Sequence, residues 1–329
     1  MKLGLDLFSL RRQGWDAFQH LDYAAQIGLD VLHFSDLEPF ASLEDDYLRG
    51  VKAKADELGI LLEVGMGSIC PTSTTFKADR GSAVEQLRQM LHIAHLLGSP
   101  AVRCFLGSNA DRRTELPLAA HIENTIATCR AVRDEAIDLG LKIAIENHAG
   151  DLQARELRQL IETAGPEYVG AVIDTGNPVW VAESPFVTLE QLAPYVVMAH
   201  IRDSVVSPHP LGAAVQWVAM GEGSIGIDRW AQQFQTLCPG VHFTLEIITS
   251  IPPRVLNYLE PEFWEIYPDT PASEFAHFLQ LVQNGHPNLA SVLTADWADP
   301  SPEYQAALVV QQRRQVEKSV RYCRAVLGV

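Results

Sequence analysis

The sequence has few features that would point to export, a membrane or a cross-linked fold. Its five cysteines are odd in number, lie far apart and form no CxxC pair, so they predict reduced thiols rather than disulfides. No stretch reaches about 18 apolar residues, and the first apolar run is interrupted by Asp6 and lacks a small-residue cleavage site. These absences predict a soluble, cytoplasmic protein with no membrane partner.

Positive charge is also scarce. The chain has 25 Lys and Arg against 41 Asp and Glu, which gives a formal net charge of −16. A chain this acidic repels phosphate backbones, so nucleic acid is a poor default partner, although a local basic groove is compatible with this total. With 47% hydrophobic residues and no low-complexity tract, one large domain or two ordinary ones would fit.

Short strand-like runs alternate with longer runs of helical periodicity. The helical runs include SAVEQLRQMLHIAHLLG and ARELRQLIETAG, which end in Gly as helix C-termini commonly do. Strand candidates begin near residues 2, 31, 61, 101, 142, 168, 196 and 242. This alternation predicts a single (β/α)8 barrel over residues 1–329, with a doubly wound open sheet as the alternative.

Four consecutive strand candidates end in side chains that ligate metals. Side chains alternate along a strand, so Glu146 and His148 share the inward face with Ala144, while Ile143 and Ile145 face the helices. The same alternation predicts three more inward side chains at the ends of the next three strands, namely Asp174, His200 and Glu246.

Three carboxylates in one small volume repel one another unless protons or a cation neutralise them. One divalent ion is the simplest solution, and one His with three carboxylates suits Mn²⁺, Mg²⁺, Co²⁺ or Zn²⁺. Taken singly, Glu146 also fits a buried ion pair, and Asp174 before Thr175 and Gly176 also fits an Asx turn.

The segments IENH, VIDTGN, AHIRD, GEGSIGIDRW and a late LEI resemble the xylose isomerase-like TIM barrels, which include ketose 3-epimerases, hydroxypyruvate isomerase and inosose enzymes. The resemblance covers residues 1–250. It implies that Glu146, Asp174, His200 and Glu246 bind one divalent ion, most often Mn²⁺, and that the two glutamates exchange a proton with a keto-sugar.

The resemblance further implies a metal-stabilised enediolate. Return of the proton to the same carbon gives an epimer, and return to the neighbouring carbon gives an aldose–ketose isomer. Loss of a β-leaving group instead gives a dehydratase or lyase. We therefore expect an isomerase or epimerase of a carbohydrate, with a lyase acting on a keto-sugar, keto-inositol or 3-keto-glycoside as the alternative.

Other polar residues near strand ends are candidate substrate contacts. His148 fits a base, a ligand of a substrate hydroxyl or a structural histidine. Arg202 fits an anchor for a hydroxyl, carboxylate or phosphate, or an ion pair with Asp203 or another barrel carboxylate. Asn177 fits a substrate contact or a helix cap. Further candidates for substrate contacts are Glu63 and His33, and Arg103 also lies near a strand end.

Three other functions compete with this prediction. GEGSIG at 221–226 matches the GxGxxG of dinucleotide-binding proteins, which would fit an NAD-dependent oxidoreductase, although Glu222 would lie near the pyrophosphate. The related abasic-site nucleases need a histidine where this chain has Asn177, and the acidic charge also opposes DNA binding. A non-catalytic sugar-binding barrel would lack a ligand or a glutamate, yet all four positions are filled.

The chain beyond residue 250 exceeds a minimal barrel. The segment 250–300 is rich in Pro and aromatics and is predicted to form a lid, a cavity wall or an interface, with Arg254, Tyr258, Phe263 and Trp264 as candidate contacts. Residues 301–329 are predicted to form a C-terminal helix of the outer ring. The sequence leaves open whether the protein forms homo-oligomers.

Overall fold

The computed structural model describes residues 1–288, 292–295 and 301–329. In chain order its strands are β1 (Leu3–Asp6), β2 (Val31–Phe34), β3 (Leu61–Ser68), β4 (Ala101–Phe105), β5 (Lys142–Glu146), β6 (Val169–Asp174), β7 (Val196–His200), β8 (Asp203–His209), β9 (Gly212–Val218), β10 (Phe243–Leu245) and β11 (Arg254–Leu256). The eight predicted strands correspond to β1–β7 and β10, so the barrel prediction is confirmed.

These eight strands form one parallel sheet in the order β10, β1, β2, β3, β4, β5, β6, β7. The sheet closes between β7 and β10, where Ile201 and Leu245 form a parallel bridge. Ile201 N–H donates to Thr244 O at 2.8 Å, and Glu246 N–H donates to Ile201 O at 2.9 Å. Closure brings the C-terminal ends of all eight strands to one rim, where the active sites of such barrels lie.

Eleven α-helices lie in the described part of the chain, and most of them follow barrel strands and pack outside the sheet. They are α1 (Ala17–Gln26), α2 (Asp45–Leu58), α3 (Ala83–Leu97), α4 (Leu118–Ala131), α5 (Arg133–Asp138), α6 (Ala154–Ala164), α7 (Pro185–Leu192), α8 (Ile227–Leu237), α9 (Pro261–Trp264), α10 (Ala272–Asn284) and α11 (Pro302–Tyr322). Helix α3 shows the local rules: Ser82 and Glu85 form a capping box at its start, and Gly98 ends it at φ 71°.

The barrel wall separates two apolar clusters. The large outer cluster includes Ile143 and Ile145, which face the helices. A small inner cluster is made of one side chain from each of four adjacent strands, namely Ala101, Ala144, Val172 and Met198. The predicted alternation of faces is therefore present, and the inner cluster closes the barrel below the rim.

Two strands between β7 and α8 were not predicted. Strands β8 and β9 form an antiparallel hairpin, and β11 joins the other edge of β9 to complete a three-stranded sheet. Helix α10 packs against β8. Part of the predicted 250–300 segment thus belongs to this added sheet and its helix, and positions 289–291 and 296–300 lie outside the described residues.

The predicted C-terminal helix is present as α11, whose buried residues include Leu308, Val316 and Val320. It packs beside the start of the chain, where Tyr23 Oη donates to Glu317 Oε1 at 3.2 Å. The five cysteines are free and buried. None of the helices in the described ranges is long and apolar enough to cross a bilayer.

Candidate metal centre and cavity

The four side chains predicted to bind a metal converge at the C-terminal rim. Each lies at or just after the end of a different strand, and Glu146, Asp174 and His200 are fully buried while Glu246 is 5% exposed. One ligand atom from each of the four lies within 4.8 Å of the others. The predicted grouping is therefore formed by the fold.

Two arginines lie among these carboxylates. Arg103 on β4 contacts Glu146 Oε2 at 2.5 Å through both Nε and Nη2, and Arg202 donates through Nη2 to Asp174 Oδ2 and to Glu246 Oε2. Arg202 Nε also donates to Asp174 Oδ2 at 2.9 Å. Arg202 therefore pairs with two barrel carboxylates rather than with Asp203.

The arginines determine which carboxylates ionise easily. Burial opposes ionisation of Glu146, but Arg103 and His200 outweigh it and hold its pKa well below the ordinary value. Burial dominates at Asp174 and, with Glu146 nearby, raises its pKa to about 6 against the opposing effect of Arg202. Ionising all the carboxylates together therefore needs more positive charge than the arginines supply.

A histidine pair supports the cluster from below. His200 Nε2 lies 2.8 Å from His33 Nδ1, and Asp6 Oδ2 lies 3.6 Å from His33 Nδ1 and 3.8 Å from His200 Nε2. Burial, His200 and Arg103 all lower the pKa of His33 well below its ordinary value. A neutral His33 can accept a hydrogen bond from His200 Nε2, so His200 Nδ1 faces the carboxylates. Burial lowers the pKa of His200, but Glu146 and Asp6 outweigh it and raise that pKa, so a cation bound at the cluster would take the place of the proton on Nδ1.

The donor set fits a divalent cation by two criteria. His200 Nδ1 is buried without a hydrogen-bond partner, although Glu146 Oε2 lies 3.3 Å away. The second criterion is the charge of the site. Four buried carboxylates lie beside two arginines, so the net charge is about −2 when all four are ionised and the histidines are neutral; they are Asp6, Glu146, Asp174 and Glu246. Three carboxylate oxygens and one imidazole nitrogen suit Mn²⁺, Zn²⁺ or Co²⁺.

Two asparagines fix the geometry of this rim. Asn147 bridges β5 to β6, because its Nδ2 donates to Asp174 O at 3.0 Å and its Oδ1 accepts from Asp174 N–H at 2.8 Å. Asn177 donates through Nδ2 to Glu146 Oε1 at 3.2 Å. Asp174 Oδ1 accepts from the N–H groups of Gly176 and Asn177, so the predicted Asx turn is formed by the residue that also faces the cluster.

A cavity of about 1070 Å³ opens above the cluster. Of the predicted site residues, Glu246, His148, Arg202, Asn177 and Arg254 line it. The remaining three predicted ligands lie behind this lining, since Arg103 and Asn177 cover Glu146 and Arg202 covers Asp174. Of the predicted catalytic residues, those that line the cavity and can take a proton from a molecule there are Glu246 and His148.

His148 has the form of a neutral base. Its Nδ1 lies 2.8 Å from Gly107 O, which can only accept, so Nδ1 carries the hydrogen and Nε2 keeps a lone pair. Its ring stacks on Phe105 with centroids 3.7 Å apart. Burial lowers the pKa of His148 to about 4, which Glu146 only partly opposes, so the imidazole stays unprotonated near pH 7.

Five other predicted contacts do not line the cavity, namely His33, Glu63, Tyr258, Phe263 and Trp264. His33 lies beneath the cluster against His200. Glu63 accepts hydrogen bonds from Thr244 Oγ1 and His242 Nδ1, both at 3.1 Å, lower in the barrel. Trp264 donates through Nε1 to Tyr258 O and packs on Phe275. Neighbouring protein groups thus occupy Nδ1 of His33, both carboxylate oxygens of Glu63 and Nε1 of Trp264.

The GEGSIG segment holds a protein carboxylate. The N–H groups of Gly221 and Gly223 donate to Asp203 Oδ2 at 3.0 and 2.9 Å. The preceding strand β9 is antiparallel and belongs to the added sheet, whereas a dinucleotide fingerprint requires a parallel strand–helix–strand unit. Because Asp203 fills the place of a pyrophosphate, the dinucleotide interpretation does not hold.

Sequence reasoning assigned no site role to Arg103 or Asp6 and did not foresee a stacked pair, Trp180 and Trp217, in the cavity wall. The two ring centroids are 4.2 Å apart. Period-2 alternation along AVRCF places Arg103 on the inward face with Ala101, so the signal for Arg103 was available. Trp180 lies in a short 3-10 helix, Pro178–Val181, and Trp217 lies in the unpredicted strand β9, so no local pattern joins them.

A family model described as xylose isomerase-like TIM barrel matches residues 21–264. Among curated proteins, the uncharacterized protein YihM of Escherichia coli K12 is 28% identical over 209 residues, 62% of this chain and 58% of YihM. The 3-oxo-isoapionate decarboxylase of Pectobacterium atrosepticum is 24% identical over 183 residues, 56% of this chain and 59% of that enzyme. The matched region spans less than three fifths of either relative.

Solved structures show the same fold at low identity. The D-psicose 3-epimerase of Clostridium cellulolyticum H10, solved with D-tagatose, superposes with a TM-score of 0.60 and 17% identity over 85% of this chain and 96% of that one. The IOLI protein with a bound zinc atom superposes with a TM-score of 0.61 and 16% identity over the same shares. At such identity these likenesses establish the architecture and leave the chemistry to the site.

Proposed function

Because the chain belongs to the xylose isomerase-like TIM barrel family, we propose that it is a divalent-metal-dependent isomerase or epimerase of a sugar or another polyhydroxylated carbonyl compound. An enzyme acting on a sugar agrees with the epimerase among its structural neighbours and the decarboxylase among its relatives. The metal agrees with the zinc-bound neighbour and with the buried cluster.

One observation carries the proposal. Glu146, Asp174, His200 and Glu246 present ligand atoms within 4.8 Å of one another directly below a cavity that Glu246 and His148 also line. A divalent ion held there supplies Lewis-acid polarisation of a substrate carbonyl, which acidifies the adjacent C–H. Manganese is our first choice, with Mg²⁺, Co²⁺ and Zn²⁺ as alternatives.

The remaining work falls to side chains facing the cavity. Glu246 is the proposed base or acid on one side of the substrate carbon, and its pairing with Arg202 orients the carboxylate. His148 Nε2 is the proposed partner on the other side. Glu146 acts as a ligand, and the earlier expectation that it also transfers a proton is less favoured because Arg103 and Asn177 cover it.

Arg202 and Asn177 are the proposed contacts to substrate oxygens, since both line the cavity beside Glu246. Trp217 supports Arg202, whose guanidinium carbon lies 4.1 Å from the indole centroid. Thr175 Oγ1 accepts from Arg202 N–H at 2.8 Å and so fixes the backbone of this residue. The guanidinium of Arg202 is held by Trp217 and by its hydrogen bonds to Asp174. It can therefore orient substrate hydroxyls with little loss of rotamer entropy on binding.

A lyase is the second candidate, and two observations favour it. The neutral His148 faces the cavity as a base independent of the metal ligands, and about 1070 Å³ exceeds what one monosaccharide fills. If proton removal next to a ketone is followed by loss of a β-substituent, the same residues eliminate rather than isomerise. The product of the reaction separates these two functions.

Deuterium exchange tests the proposal. We expect the Mn²⁺-loaded protein to incorporate deuterium from D₂O next to the carbonyl of at least one member of a panel of ketopentoses, ketohexoses, inososes and 3-keto-glycosides, as followed by ¹H NMR. Glu246→Gln should slow exchange by about 10²- to 10⁴-fold. Glu222→Gln is the matched control, because Glu222 pairs with Lys318 outside the cavity lining.

The product distinguishes the candidates. A product of unchanged composition supports the isomerase or epimerase, and release of a fragment or of water supports the lyase. Absence of exchange across the panel with metal bound contradicts both.

A further inference from the structure

The charge of the cavity is opposite to that of the whole chain. Acidic residues outnumber basic ones 41 to 25 in the sequence, yet the cavity lining contains six Lys and Arg against two Asp and Glu. The six are Lys77, Arg80, Arg103, Arg113, Arg202 and Arg254, and the acids are Asp36 and Glu246. A cationic cavity in an anionic protein attracts anionic molecules.

Half of these cations are already neutralised. Arg103 and Arg202 pair with the cluster carboxylates, and Arg80 Nη1 lies 3.7 Å from Asp36 Oδ1. Within the part of the chain that the structure describes, Lys77, Arg113 and Arg254 have side chains with no hydrogen bond or ion pair to the protein. Positive charge therefore remains available on the cavity wall.

Arg254 is the best placed of the three. It lies on β11 and is held flat against the wall, with its guanidinium carbon 4.7 Å from the Trp180 ring centroid. Burial lowers its pKa, Tyr267 opposes that shift and Arg113 adds to it. This partly desolvated guanidinium lies near a second arginine, has no carboxylate partner among the described residues, and lines the cavity with its donors available.

A stacked column connects this arginine to the reaction centre. Arg202 lies over the ring of Trp217, and Arg254 lies over the ring of Trp180. The two indole rings stack on each other with their planes 4° from parallel. The hairpin strand β9 supplies Trp217 and also pairs with β11, where Arg254 lies opposite Val215. The added sheet thus positions Arg254 as a second cation, away from the cluster of predicted metal ligands.

We propose that the substrate carries an oxyanion, a carboxylate or a phosphate ester, remote from its reacting carbonyl, and that Arg254 with Arg113 binds it. This inference rests on the proposed function for the statement that the substrate reacts at a carbonyl. The statement that the substrate also carries an anionic group rests on the residues of the cavity wall. A fork of N–H donors matches carboxylate and phosphate geometry, and the tryptophan column beneath it holds the guanidinium of Arg254 in place.

Paired probes that differ in the presence of one anionic group test the inference. Isothermal titration calorimetry on the full-length, Mn²⁺-loaded protein would compare D-gluconate with D-sorbitol, and D-glucose 6-phosphate with D-glucose. We expect the charged member of at least one pair to bind about tenfold or more tighter. Preference in the first pair alone identifies a sugar acid, and preference in the second alone identifies a phosphate ester.

Variants separate Arg254 from other cations. Arg254→Gln should remove most of the charge preference, and Arg254→Lys should retain part of it, because lysine keeps the charge but not the fork. Arg229→Gln is the matched control, since Arg229 also lies over an aromatic ring, Phe186 at 4.6 Å, but does not line the cavity. Circular dichroism confirms that each variant is folded.

Two results would overturn the inference: equal binding of charged and neutral members in both pairs, or a preference that survives in Arg254→Gln, as direct ligation of gluconate to the metal would give. The two proposals fail separately. If deuterium is exchanged but the preference for charged probes does not depend on Arg254, the proposed enzyme function stands and the anion site is refuted. If the preference depends on Arg254 but no deuterium is exchanged, the anion site stands and the proposed enzyme function is refuted.

Discussion

Two layers inside the barrel are equally buried and chemically opposite. The lower layer is apolar and the upper layer is charged, yet each residue of the upper layer lies two positions further along the same strand on the same face. The pairs are Ala101 and Arg103, Ala144 and Glu146, Val172 and Asp174, and Met198 and His200. Burial alone therefore does not decide which residues fill a barrel.

The difference between the layers is explained by pairing. A buried carboxylate is costly unless a cation or hydrogen-bond donors surround it, and here arginines, His200 and asparagine amides alternate with the acids. The lower layer needs no such partners and packs by dispersion and the hydrophobic effect. The upper layer lies where the cavity begins, so its charged side chains belong to the candidate site. The lower layer fills the barrel interior beneath it.

The largest expected effect comes from breaking the charged layer. Glu146→Gln removes one ligand and leaves Arg103 without its carboxylate, so we expect the Kd for Mn²⁺ to rise about 100-fold or more, as measured by calorimetry. Glu183→Gln is the matched control, because Glu183 is equally buried but lies outside the cluster. Unchanged Mn²⁺ affinity in Glu146→Gln would refute its role as a ligand.

Breaking the apolar layer should affect stability and spare the metal. Met198→Ala leaves a void in the inner cluster, so we expect the free energy of unfolding in urea to fall by about 2–5 kcal/mol. Mn²⁺ affinity should stay within about threefold of the wild type. Leu211→Ala, at a position 44% exposed, should change stability by less than about 0.5 kcal/mol. A large loss of Mn²⁺ affinity in folded Met198→Ala would show that the layers are not independent.

The buried carboxylate of Glu183, which lies outside both layers, sharpens the comparison, because no cation of the described residues pairs with it. Glu183 accepts from Thr188 Oγ1 and Ala154 N–H, and burial raises its pKa to about 7 against these hydrogen bonds, whereas Arg103 holds the pKa of Glu146 low. From its ordinary value of 4.5 up to about 7, the folded state binds the proton more tightly than the unfolded state. Stability should therefore decline through this window, by about 1–3 kcal/mol.

Urea unfolding at pH 5 and pH 8 measures this decline. Glu183→Gln cannot ionise, so its loss of stability between the two pH values should be smaller than that of the wild type by the same amount. Parallel profiles for the two proteins would mean that Glu183 ionises normally.

Much of this architecture could be predicted. Alternating short apolar runs and capped helical runs located all eight barrel strands, because hydrophobic periodicity and capping are local properties. The order Glu146, Asp174, His200, Glu246 followed from the same alternation. The hairpin β8–β9 was missed, since its residues were interpreted as a continuation of β7 and a short apolar run before a glycine loop.

What the sequence determined by itself was the direction of each side chain along its own strand, and hence which residues face the barrel interior. Only the tertiary structure decided what each of them meets there. Arg103 covers Glu146, Asp203 fills the GEGSIG loop, and Arg254 faces the cavity unpaired. The physical reason is that alternation is set by the local backbone, whereas pairing depends on which charges barrel closure brings within hydrogen-bond distance.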